Sequence, residues 1–211
     1  MPSSQLRLLL SCILIPLSVS GAGAADTSYF SVKGGSFLPN GSVSANGLQS
    51  FNTGYSAELA IGFRPETYAA LELGTGLYSS SGTVTNADSK SSKTLYGIPI
   101  TATAKAILDL KKSELFAGAG FGYYFVSIHN QVDFYNGGSP SVQESSHGGA
   151  LGYHLVFGGD CKLSDRFRLG ADFKWFVAKP ELALTDSQNV KSKVKWDVGG
   201  EVLNVGIKYL F

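Results

Sequence analysis

Lys33, Glu58, Arg64, Glu72, Lys105, Glu114, Asp160, Lys162, Arg166, Arg168, Asp172, Lys174 and Lys208 all fall on one side of segments that alternate with apolar residues. Residues two apart in extended backbone point the same way. These eight bases and five acids would therefore face one another across a confined space. Charges so confined are tolerable only when paired and hydrogen-bonded. Glu58 and Glu72, like-charged on neighbouring segments, need cations, and Lys33 is placed to serve Glu58. Two chemistries fit this set: a fixed ion-pair network that closes a lumen, and a gate for ions or solutes.

Other reactive residue types carry less. His129 and His147 fall in stretches read as loops, and with His154 they show no metal-ligand spacing. No Ser, His and acid converge in a pattern for nucleophilic catalysis, so an enzyme is not expected. Cys12 and Cys161 are too few for a disulfide scaffold or a cysteine zinc site. No cofactor is expected either. Lys and Arg number 17 against 16 Asp and Glu, a net charge of +1, so a nucleic-acid partner is not expected. Charged residues make up 16% of the 211, below the roughly 25% of ordinary domains. Glycine, at 26 residues, is well above its usual ~7%.

The elements that must position these charges are strands. Residues 1–25 read as a secretory signal peptide: Arg7, an apolar run from Leu8 to Val19, then small residues to Ala25. The domain expected after cleavage is 26–211. It shows period two repeatedly, which predicts eight strands near 29–38, 55–64, 67–78, 95–108, 114–127, 151–162, 166–177 and 200–211. Short turns at 65–66, 109–113 and 163–165 alternate with long Gly-, Ser- and Asn-rich loops at 39–54, 79–94, 128–150 and 178–199. Asn40-Gly41, Asn46-Gly47 and Asn136-Gly137 mark turns within those loops. This is the pattern of an all-β, eight-stranded antiparallel up-and-down barrel.

Glycine decides which face is inside. In the predicted strands thirteen glycines share the charged face, and only Gly34 and Gly159 lie on the apolar one. Glycine weakens a solvent-exposed strand, but a narrow eight-stranded lumen needs the room it leaves. The charged face is therefore the interior. The apolar face, with Phe121, Tyr123, Phe125, Phe167, Phe173 and Trp175, meets hydrocarbon. A transmembrane barrel follows, with the lipid bilayer as its first partner. Cys161 falls on the lipid side.

The last strand alternates Leu203, Val205, Ile207, Tyr209 and Phe211. It resembles the terminal signal of bacterial outer-membrane proteins. Tyr29–Pro39, Glu58–Gly62, Gly97–Thr101 and Phe116–Tyr123 also resemble the small eight-stranded outer-membrane barrel superfamily. The proline strand, the glycine-tyrosine strand and the ending are most similar to the OmpW branch, with the OmpA-type membrane domain a close competitor. The resemblance implies outer-membrane localisation and assembly by the outer-membrane machinery reading Tyr209 and Phe211. It also implies periplasmic termini, extracellular long loops, and lipopolysaccharide as a neighbour. The fourth loop carries Lys179, Lys191, Lys193 and Lys195 with Glu181, Asp186 and Asp197, and reads first as a solvated loop, with contact to lipopolysaccharide phosphates as the alternative.

Alternating strand direction gives each inward residue a height. Arg64, Lys105, Glu114, Asp160, Lys162, Arg166, Arg168 and Lys208 fall in the lower half, and Lys33, Glu58, Glu72 and Asp172 nearer the middle. This is a charged plug. Phe37, Tyr78, Leu95, Pro99, Tyr124, Val126, His154, Val156, Phe176 and Val202 fall in the upper half and make an apolar mouth. Proteins of the OmpW branch are associated with passage of small hydrophobic molecules to a lateral exit. By that resemblance the mouth would hold such a solute. Pro99 cannot donate to its ladder and marks either a weak point in the wall or a local bulge. The alternative is a structural or surface-interaction barrel with a closed lumen and functional loops.

Overall fold

In the computed structural model, residues 28–40, 51–85, 89–135, 142–185 and 191–211 are described. The expected signal peptide, Asn46-Gly47 and Asn136-Gly137 lie outside them. The strands are β1 (Ser28–Pro39), β2 (Gly54–Glu66), β3 (Ala69–Thr85), β4 (Ser89–Asp109), β5 (Ser113–Phe134), β6 (Val142–Lys162), β7 (Phe167–Ala178), β8 (Glu181–Thr185), β9 (Lys191–Lys195) and β10 (Gly200–Leu210). Eight of them form a closed antiparallel barrel in the order β1-β10-β7-β6-β5-β4-β3-β2. The ring closes where β1 pairs with β10, from Tyr29 opposite Leu210 to Pro39 opposite Gly200. Closure leaves no unpaired edge, which an apolar bilayer requires of a sheet.

The exposure pattern is inverted relative to a protein in water. Leu151 is 76% exposed and Phe121 67%, whereas Glu114 is 1% exposed. The apolar residues that alternate outward form a continuous belt, and the ionic ones are inside. Glycine leaves the room this needs. A Cβ on Gly62 would lie 2.0 Å from Cζ of Tyr29, and one on Gly97 would lie 2.0 Å from Cζ of Tyr78. Each ring thus lies over the glycine opposite it on the neighbouring strand, Tyr29 over Gly62 and Tyr78 over Gly97. At the β4–β5 turn Lys111 takes a positive φ of 71°, and its N–H donates to Asp109 Oδ1 at 2.8 Å. Such a local side-chain bond supports a tight turn.

Two stretches expected to be loops are largely strand. The β3–β4 hairpin runs to Thr85 and resumes at Ser89, and β5 and β6 run to Phe134 and from Val142. His129 and His147 are accordingly strand residues, not loop residues. Apart from Ile128 and Val132 on β5, these extensions are largely polar, with Ser and Thr prominent, and ladder pairing defines them more than apolar alternation does. At 21–22 residues, β4 to β6 exceed the ~9–11 of a tilted crossing by roughly ten, about 30 Å along the strand. A four-stranded sheet therefore projects from one end of the barrel. The fourth expected loop also contains a hairpin, β8–β9, with Glu181 opposite Lys195.

Candidate functional site in the barrel lumen

From the short-turn end upward, the lumen is filled by ionic layers and then by an apolar roof. In the lowest layer Glu114, on β5 just past a turn, accepts from three cations on three other strands. Arg64 lies at 2.9 Å, Arg168 at 2.5 Å and Lys208 at 3.2 Å. Lys208 also pairs with Asp160. Arg64 is held from behind by the Thr67 carbonyl at 2.9 Å. In the next layer Glu72 accepts from Lys105 at 2.7 Å and from the Tyr29 hydroxyl at 2.9 Å. The ammonium groups of Lys105 and Lys208 also sit over rings, 4.7 Å from the Phe116 centroid and 4.6 Å from the Tyr29 centroid. A cation over a ring face is attracted by its quadrupole.

The third layer is a chain of charges. Lys33 reaches Glu58 at 3.2 Å and Asp172 at 2.8 Å, and Lys174 takes the other oxygen of Glu58. Asn204 donates to Asp172 at 3.4 Å and accepts from Ser56 at 2.8 Å. Ten of the twelve residues expected in the plug take part in these layers, Glu114 among them. Lys174 and the polar neighbours Tyr29, Ser56 and Asn204 complete them. Lys162 and Arg166 do not belong. Both are exposed at the rim, where Lys162 pairs with Asp165 at 3.0 Å and Arg166 donates to the Tyr209 hydroxyl at 3.4 Å. They sit where the barrel ends, Lys162 on the last β6–β7 pair, opposite Arg168, and Arg166 in the turn beyond it. The hydrogen bond from Lys162 holds the Asp165 carboxyl below its ordinary pKa in that turn.

Above the charges Phe37, Tyr78, Leu95, Tyr124, Val126, Phe176 and Val202 form one buried cluster with Ile128, Ala178 and Val198. Phe51 and Trp196 pack against it. Phe176 is the hub. It stacks on Tyr124 with centroids 5.1 Å apart and planes 5° apart, and meets Tyr78 at 5.2 Å and Phe37 at 5.9 Å. The expected mouth is thus a filled roof. His154 and Val156 are buried outside that cluster, and His154 Nε2 lies 2.9 Å from the Thr103 hydroxyl.

The wall is interrupted beside Pro99. The β3–β4 ladder pairs Thr75 with Ile100 and next Tyr78 with Gly97, leaving Gly76 and Leu77 without ladder partners in Ile98 and Pro99. The register is the same on both sides of the gap, so this is a seam and not a bulge. Toward β5 the ladder is intact, with Pro99 opposite Tyr124. The Thr75 hydroxyl donates to the Pro99 carbonyl at 2.9 Å. A cavity of about 30 Å³ lies against this seam, between the third ionic layer and the roof. Its lining includes Glu58, Lys174, Tyr78, Tyr124, Pro99 and the half-exposed Leu77 of the outer wall. A larger groove of about 710 Å³ lies on the lipid side, between Phe63, Leu71 and Leu73 on one flank and Phe121 on the other. On β10 the outward row Leu203, Val205 and Ile207 is exposed, and Tyr209 stacks toward Phe211 with centroids 6.3 Å apart.

A closed ring of eight antiparallel strands, apolar outside and ionic inside, is the architecture of an outer-membrane barrel. The sequence model of the outer membrane protein beta-barrel domain matches residues 10–211. The chain belongs to this family. As an outer membrane beta-barrel protein it resides in the bacterial outer membrane. The crystal structure of the outer membrane protein OprG from Pseudomonas aeruginosa aligns with a TM-score of 0.57 and 15% identity, over 89% of this chain and 98% of that one. A major outer membrane protein from Thermus thermophilus aligns at 0.54 and 14% identity, over 87% and 99%. Neisserial surface protein A aligns at 0.51 and 16% identity, over 90% and 100%. These similarities show the shared barrel fold. No curated protein matches the chain.

Proposed function

We propose that this barrel, as in the OmpW branch, admits small hydrophobic molecules at its extracellular end and releases them sideways into the bilayer. The observation that carries this reading is the cavity that joins the underside of the roof to the β3–β4 seam at Pro99. A solute passing the aromatic roof meets charge below and an unpaired stretch of wall beside it. The ionic layers bar the way to the periplasm, because an apolar molecule would have to separate buried ion pairs to descend. The seam costs less, since Pro99 has no N–H to give up. In this reading the projecting sheet is extracellular, the short turns and both ends of the barrel are periplasmic, and the ionic layers act as the plug.

Vesicles with an outer leaflet of lipopolysaccharide, which retards apolar probes, provide the test. The reconstituted barrel is expected to speed entry of a naphthylamine dye into the membrane without conducting ions. Ion conductance without faster dye entry would overturn the reading.

A second reading, a surface-interaction barrel with a closed lumen, is favoured by the projecting sheet. There Tyr96, His129 and His147 form a row with centroids 5.8 and 6.2 Å apart, and His129 Nδ1 lies 2.8 Å from the Ser145 hydroxyl. Aromatic and hydroxyl groups side by side suit a glycan or a peptide. Under this reading His129→Ala with His147→Ala removes surface binding, and dye entry is slow in every variant.

A further inference from the structure

The cavity beneath the roof contains a chemical feature that an exit route for hydrocarbon does not require. Tyr78 and Tyr124 line it, and both phenolic hydroxyls are buried without a hydrogen-bond partner. Tyr78 is 3% exposed and Tyr124 2%. A phenol that satisfies no bond in a buried site carries a desolvation penalty that phenylalanine would avoid. Phenylalanine would serve the stacking on Phe176 as well. The polar atoms nearby are already engaged: Glu58 by Lys33 and Lys174, and Asn204 by Ser56 and Asp172.

We propose that this cavity recognises the head of a neutral amphiphile, whose single acceptor oxygen takes the Tyr78 and Tyr124 hydroxyls while its apolar tail leaves through the seam beside Leu77. The inference rests on the lateral-exit reading and narrows its solute class. Three properties of the cavity select this ligand. Its volume of about 30 Å³ exceeds the ~10–15 Å³ that a single water needs, so a carbonyl or ether oxygen fits with the carbon that bears it. Its charges are already compensated, because Lys174 is paired with Glu58, so a carboxylate or ammonium head would enter unpaired. Its outer wall is Leu77, which reaches the lipid face and continues as an apolar path for a chain. A pure alkane leaves both hydroxyls unsatisfied. An ion loses its hydration without gaining a partner. A ketone, ester or ether with a short chain satisfies the site.

The full chain in lipid nanodiscs, carrying ring-labelled tyrosine, is titrated with 2-octanone, octane and octanoate while the Tyr78 and Tyr124 resonances are followed. The expected result is saturable shifts with 2-octanone at about tenfold lower concentration than with octane, the ratio that one net hydrogen bond supports. Octanoate should shift neither ring. In the Tyr78→Phe and Tyr124→Phe double variant, faster entry of 2-octanone over octane is lost. Equal response to ketone and alkane, with dye entry intact, overturns this inference and leaves the lateral-exit reading standing. No shift with any compound and no dye entry overturns both. Shifts with octanoate at the ketone's concentration overturn the neutral-head assignment.

Discussion

Glu114 and Phe176 are both all but inaccessible, at 1% and 2% exposure, yet their surroundings hold them in opposite ways. Glu114 is fixed by directional bonds from Arg64, Arg168 and Lys208, each anchored on a different strand. Phe176 is held by ring contacts with Tyr124, Tyr78 and Phe37, which have no directional partner to lose. The floor can move only by exposing ions to one another, and the roof can move by trading one ring contact for another. A filled lumen can therefore be permissive at one end and closed at the other. What differs is the kind of cohesion, since the two side chains are equally buried.

Substitutions at the two ends should separate these behaviours. The largest effect is expected from Glu114→Ala, which leaves three cations facing one another. It should lower stability by about 3–5 kcal/mol, read from urea unfolding of the folded barrel in lipid. Tyr29→Phe removes one donor to Glu72 but keeps Lys105 on it, so a loss of about 2 kcal/mol is expected in the same assay. Neither change should accelerate dye entry. In the roof, Phe176→Leu keeps the site apolar and should cost about 1 kcal/mol. Unlike the floor variants, it should raise the rate of dye entry. The smallest effect belongs to Lys162→Ala. Its pair with Asp165 is exposed at the rim, and the change should stay within about 0.5 kcal/mol. A floor variant that admits dye, or a roof variant as costly as Glu114→Ala, would collapse the distinction.

The separation of faces was legible along the chain because alternation and glycine placement report the same inside and outside. Glu58, Glu72, Lys33 and Lys105 could be placed on one wall by parity alone. Tyr29 and Phe116 share parity with Lys33 and Glu114, so alternation puts both rings inside, but their service to the ionic layers depends on cross-strand contacts that alternation does not show. Height was less legible than parity. Lys162 ends β6 and Arg166 lies in the turn after it, and alternation does not show where along a strand the enclosing wall stops. The projecting sheet was missed because Ser81, Thr83, Ser92 and Thr94 have no apolar alternation, and their pairing is visible only in the ladder. The seam was half legible. Pro99 announced a missing donor, but the adjoining cavity depends on Tyr78, Tyr124 and Gly97 meeting across strands.

The β3–β4 seam can be closed covalently. Leu77 and Ile98 share the outer face across it, in the register that pairs Thr75 with Ile100. In a Cys161→Ser background, Leu77→Cys with Ile98→Cys places two thiols across the gap, and oxidation stitches β3 to β4. Dye entry through vesicles with a lipopolysaccharide outer leaflet is then measured before and after reduction. With lateral release at Pro99, the oxidised barrel admits dye no faster than empty vesicles, and reduction restores entry. Equal entry in both states would contradict lateral release at Pro99.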